Sequence, residues 1–166
     1  MASSTYTTLQ YLLDRANISD TVTSMSAFLD RRDFNGLAEK VFAKDEVTID
    51  YTQLWEKEVY RQAEIWRTMT HFLTSCQHII TGIMFDDLPQ PEGDVPTPQK
   101  VKASANVLVT LRRDGIMGDS TVQSGSVYNV ELIRVPGISG NPWRISYLQA
   151  QSTWSKGNME VMKNPN

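Results

Sequence analysis

Apolar residues recur at helical spacing in the first half of the chain and at strand spacing in the second. Leu9, Leu12, Leu13 and Ala16 form an i, i+3, i+4, i+7 stripe, which Asn17 and Ser19 punctuate. A second stripe follows in Ile18, Val22, Met25 and Leu29 and runs on to Asp30. Asp33 has the acceptor side chain of an N-cap, for a short helix carrying Leu37 and Val41. Val47, Ile49 and Tyr51 alternate with Thr48 and Asp50, the period of a strand. A longer amphipathic helix is then expected, with Val59, Ala63, Trp66, Thr70 and Leu73 on one face.

From residue 76 onward the period is two, and strands are predicted over 76–86, 100–113, 121–135 and 143–154. The prolines of residues 88–100 forbid a continued ladder, so this stretch is a hairpin excursion. Gly115–Gly118 and Pro136–Pro142 make the next two connections. Helices followed by a meander of long antiparallel strands is an α+β order. The expected architecture is a single domain over 1–166, with its core over about 9–154. It is cone-shaped, N-terminal helices packing on a strongly curved sheet around a pocket. The polar tail 155–166 is expected to close over that pocket as a lid or to fray.

Composition narrows the function classes. Hydrophobic residues make up 40% of the 166 and charged residues 21%, with a net charge of −3. That is an ordinary globular balance. No basic block or basic stripe interleaved with aromatics marks a nucleic-acid binder. No apolar run approaches the roughly 20 residues that span a bilayer, and the polar start lacks a secretory layout. The single cysteine, Cys76, cannot form an internal disulfide and fits a reducing compartment, so the expected location is cytoplasmic.

The chemistry follows from what is present. One cysteine and two histidines, His71 and His78, give no Cys/His cluster of zinc spacing, so no metal is expected. Phosphate-binding glycine loops and a nucleophile elbow are also missing, so no cofactor is expected either. General acid–base work by side chains remains. Alternation places Cys76, His78 and Ile80 on one face, and a neutral His78 there would exchange a proton near physiological pH. A core histidine held by one carbonyl fits the same pattern. Asp30, in LDRRDF, would hold the imidazole tautomer, or would be a solvated helix-end acid paired with Arg31 or Arg32. Tyr51 shares the inward face of Val47 and Ile49, to polarise a carbonyl or simply to pack. Asn129 and Glu131 share one face of VYNVELIRV and would orient a substrate if that face lines the cavity. The tryptophans, Trp55 among them, fit core positions or an aromatic pocket wall.

Three runs together, DRRDFNGLAEKVFAKDEVTIDYTQLW, CQHIITG and YNVELIRV with WRISYLQ, resemble the scytalone dehydratase and SnoaL-like group. The resemblance covers about residues 9–154 and implies the nuclear-transport-factor-2-like cone fold. It further implies that Asp30 and His78 are a proton-transfer pair, that Tyr51 polarises a carbonyl through water, and that Asn129 holds the substrate. Leu29, Leu111 and Val127 fall where that group carries polar recognition residues, which implies a greasier substrate lined by these side chains.

The expected function is a cofactor-independent isomerase, dehydratase or cyclase acting on a polyketide- or terpenoid-derived intermediate of secondary metabolism. The alternatives are a pericyclase using the cavity for shape, an epoxide hydrolase using Asp30 with an inward Arg112, and a non-catalytic binding or dimerisation module. A small-molecule substrate is the expected partner. Val122, Tyr128, Val130 and Leu132, read as an apolar outer face, predict a homo-oligomer, a dimer in the first place and a trimer by the resemblance.

Overall fold

The computed structural model describes residues 5–44, 47–55, 59–60 and 70–163. Helix α1 (Thr8–Arg31) starts on a capping box. The Thr7 hydroxyl accepts the Gln10 N–H while the Gln10 side chain accepts the Thr7 N–H. The helix runs unbroken through Asn17 and Ser19, where the sequence pattern predicts a break. Its buried face is Asp14, Ile18, Val22, Met25 and Leu29, whereas Leu9, Leu12 and Leu13 are exposed. Asp33 caps α2 (Phe34–Gly36) as expected, accepting the Gly36 N–H at 2.8 Å, and a π-helical turn (Leu37–Val41) follows. Then come β1 (Thr48–Asp50), α3 (Thr52–Trp55) and β2 (Val59–Tyr60). Val59 therefore belongs to a strand, and most of the helix predicted beyond it lies outside the described residues.

The second half is the predicted meander. Strands β3 (Ser75–Phe85), β4 (Lys100–Arg112), β5 (Thr121–Arg134) and β6 (Trp143–Gly157) pair antiparallel in sequence, and β1 joins β6 in parallel. The order across the six-stranded sheet is β2-β1-β6-β5-β4-β3. Curvature comes from register breaks at Thr81/Met84, Gly125/Ser126 and Glu131/Leu132. Gly82, inside the first, has φ +59°, a conformation that glycine takes without steric cost. Gly125, inside the second, has the Trp154 ring so close that an added Cβ would lie 2.1 Å from its Nε1.

The curved sheet wraps one core. Val101, Ala103, Ala105, Val107, Val130 and Leu132 face α1 across it. The buried Asp14 carboxylate ties the two layers. It accepts Tyr6 Oη at 2.9 Å, Trp143 Nε1 at 2.9 Å and Arg134 Nη2 at 2.5 Å. The loop between β3 and β4 folds back on the N-terminus, where the Tyr6 N–H donates to the Val95 carbonyl at 2.8 Å.

Candidate active site

Helix α1 ends with Arg32 in the left-handed region (φ 58°), its N–H returning to the Leu29 carbonyl. The Arg32 guanidinium donates to the carbonyls of Leu73 and Thr74, immediately ahead of β3. The helix end is thereby fixed against the start of a central strand, and Asp30 meets His78. Asp30 Oδ2 accepts the His78 backbone N–H at 2.9 Å, and Oδ1 lies 2.6 Å from His78 Nδ1. Two contacts from one carboxylate fix the ring: Nδ1–H donates to Asp30, which leaves the Nε2 lone pair on the other side of the imidazole. The His78 side chain is 9% exposed and Asp30 23%, so the pair is sheltered but reachable.

Cys76 precedes the histidine by two residues and shares its face. Its Sγ lies 3.8 Å from the Leu29 carbonyl, and burial, helped by the Asp30 charge, pushes the thiol up to about 11. Ligand atoms of Asp30, Cys76 and His78 all lie within 4.8 Å of one another. Sequence spacing excludes a metal cluster; the fold nonetheless gathers three donors suited to a zinc-like cation, from a helix end and a strand.

His78 opens onto a cavity between the concave sheet and the helix. Leu29, Val109, Leu111 and Val122 give it apolar walls. Tyr51, Ser124, Ser126 and Tyr128 are its polar wall residues besides Cys76, Thr70 and His78. Register explains the layout: His78 pairs with Val109, which pairs with Ser124, so the imidazole and a buried hydroxyl flank one valine on the concave face. Ser124 Oγ lies 3.3 Å from Ser126 Oγ and 3.2 Å from Ser152 Oγ, a short hydroxyl chain across β5 and β6. Tyr51 is held at the cavity edge by its neighbour. Asp50 accepts Thr52 N, Thr52 Oγ1, Tyr147 Oη and Gln149 Nε2, pinning β1 to β6, and the Thr52 backbone bond foremost lowers the Asp50 pKa.

The structure brings Asp30, His78, Tyr51, Leu29 and Leu111 to this cavity or its rim. Asn129, Glu131 and Val127 do not reach it. The odd positions of β5 face away from the core. Asn129 donates to Gln149 Oε1 at 3.5 Å, and Glu131 pairs with Lys100 and Lys102. The complementary correction concerns Val122, Tyr128, Val130 and Leu132, read from sequence as an outer face: all are buried inside the cone and cannot form a subunit interface. The Trp55 side chain lies outside the described residues. Arg112 is exposed and bonded to Asp114 Oδ1 at 2.9 Å, which removes the inward arginine an epoxide hydrolase would need. The tail docks in part: Val161 is fully buried against Leu73 and Val122, and Met162 joins the cavity wall. Sequence reading missed Ser124, Ser126, Tyr128 and Cys76 as wall residues. Gln123, Asn129 and Glu131, all at odd positions of β5, were the available signal.

Comparison with known proteins bears on this arrangement. A SnoaL-like domain model matches residues 10–149. The chain belongs to the SnoaL-like family. Its fold is that of the nuclear-transport-factor-2-like superfamily. This SnoaL-like domain is similar to a protein of Kribbella flavida at 17% identity and TM-score 0.74, covering 91% of this chain and 97% of that one. It is similar to a hexachlorocyclohexane dehydrochlorinase of Novosphingobium barchaimii at 16% identity and TM-score 0.70, covering 96% and 100%. A protein of Novosphingobium aromaticivorans assigned as a scytalone dehydratase gives 13% identity and TM-score 0.71, covering 92% of each chain. No curated protein matches the sequence significantly. Among the described residues of the SnoaL-like domain, no helix is long and apolar enough to cross a membrane.

Proposed function

We propose that this SnoaL-like domain is an acid–base lyase that uses its own side chains to eliminate water or another small HX from a compact apolar substrate. The observation that carries the reading is the 2.6 Å contact between His78 Nδ1 and Asp30 Oδ1 at the wall of a largely apolar cavity. With Nδ1–H committed to Asp30, Nε2 is the basic nitrogen. It takes a proton from a substrate carbon and, as imidazolium, returns it to the departing group, so atoms and charge balance over the cycle. Asp30 stabilises the imidazolium without taking the proton. Low dielectric around the pair strengthens that interaction. Tyr51, buried on the same cavity, is the candidate to polarise a substrate oxygen. Isomerisation or cyclisation needs the same pair, with the proton returned to another carbon in the first case and, for ring closure onto a carbonyl, to the alkoxide oxygen in the second. Structural neighbours that include a dehydrochlorinase and an assigned dehydratase favour elimination. An intermediate of polyketide or terpenoid metabolism is the substrate class we favour, since it supplies the ring surface that apolar walls accept.

The test uses a panel of cyclic β-hydroxy ketones, with dehydration followed by ultraviolet absorbance and α-carbon exchange in D2O by NMR. Wild type accelerates one or both. His78→Ala and Asp30→Asn each lose about 10²–10⁴-fold in rate while the circular dichroism stays native. Near-native rates in His78→Ala would overturn the mechanism.

A further inference from the structure

Tyr128 is a cavity residue whose chemistry the acid–base pair leaves unexplained. It is 4% exposed and lines the cavity, and among the described residues nothing donates to or accepts from its hydroxyl. A buried phenol normally finds a partner, because leaving one unpaired costs as much as breaking a hydrogen bond. Its surroundings were shaped to leave it room. Tyr128 pairs with Ala105 on β4 and Ala150 on β6, both fully or nearly fully buried, so the ring is flanked across the sheet by methyl groups alone. No hydrogen bond among the described residues satisfies the hydroxyl, which leaves that role to a molecule in the cavity. Burial, reinforced by the nearby Asp30 and Cys76, holds the phenol well above its ordinary range, so at any working pH it carries its proton. A protonated phenol that no described residue bonds is a donor in search of an acceptor.

We infer that Tyr128 is a substrate-binding residue whose hydroxyl donates to an acceptor oxygen, so that the cavity selects apolar molecules bearing a carbonyl. The assignment deepens the proposed function and rests on it only in taking this cavity as the substrate site. Its position differs from that of Tyr51, the other candidate donor, which follows β1 and has interactions of its own. Ser124 and Ser126 satisfy one another and need no ligand. Tyr128 does.

The experiment compares Tyr128→Phe with wild type in binding cyclohexanone and methylenecyclohexane, which replaces the carbonyl oxygen by CH2. The expected result is roughly tenfold weaker ketone binding in the variant with hydrocarbon binding unchanged, one good hydrogen bond. The carbonyl stretch of bound cyclohexanone shifts to lower frequency in wild type and returns in the variant. The melting temperature of Tyr128→Phe stays level or rises, because no described residue partners the lost hydroxyl. An unchanged ketone-to-hydrocarbon ratio, no ketone binding by wild type, or a clear fall in melting temperature would each overturn the assignment. Binding is read without turnover. An inactive His78→Ala beside an unchanged Tyr128→Phe ratio overturns only the Tyr128 assignment, and the reverse pair of results overturns only the proton transfer.

Discussion

Cys76 and His78 stand two residues apart on one face of β3, yet burial separates their chemistry. The imidazole has a carboxylate to work against; the thiol is pushed up to about 11, first by desolvation and then by the Asp30 charge. Thiolate is the reactive species, so at pH 8 Cys76 should react with iodoacetamide about 100-fold more slowly than an ordinary cysteine of pKa near 9. The rate should climb about tenfold per pH unit until pH nears 11. Mass spectrometry of timed aliquots checks this, and rapid labelling at neutral pH would contradict it. The same shift has a sign for stability. The folded state favours the protonated thiol, so this contribution is complete below about pH 9 and is lost as pH rises through about 11.

Helix α1 shows why hydrophobic periodicity misplaced one face. The pattern assumes that apolar residues point inward, and Leu9, Leu12 and Leu13 satisfy it on paper. The inward residue of that turn is Asp14, which is buried because Tyr6, Trp143 and Arg134 together supply three donors. Partners from residues far away in sequence cannot be read from a local window. Asp14→Ala would leave Arg134 and two polar groups without their acceptor, and should cost about 3–5 kcal/mol in urea unfolding. Strand β5 teaches the companion lesson. Alternation separated its two sets of residues correctly but does not say which set faces in, so Asn129 and Glu131 were sent to the cavity and Tyr128 to the surface. Asp30 and His78 were legible for another reason. Their motifs carry a family resemblance that implies the pair, whereas the apolar pattern alone leaves a solvated helix-end acid and a core histidine equally open. The four long strands were legible almost to their ends because their lengths of 11 to 15 residues give the period many repeats. The short pieces β1 and β2 draw their pairing from elsewhere in the sheet.

At the level of the whole molecule, the sheet is joined through its last strand, which lies between β1 and β5. β1 lies in parallel beside β6, and Trp143 reaches back across 129 positions to Asp14. A chain ending at Pro142 lacks β6 and the docked Val161, and should show no cooperative thermal transition by circular dichroism where the chain ending at Lys163 does. Long-range closure of this kind also slows folding, because the loop entropy is spent before the contacts that reward it exist. The order of pairing thus sets a timetable during synthesis. Helix α1, with Asp14 and Asp30 on it, is translated before the strands it packs against and waits for partners made far later. Until β6 has emerged the nascent chain holds an unfinished sheet edge and an Asp14 carboxylate without its Trp143 donor, and the domain is exposed to chaperones and proteases while it waits.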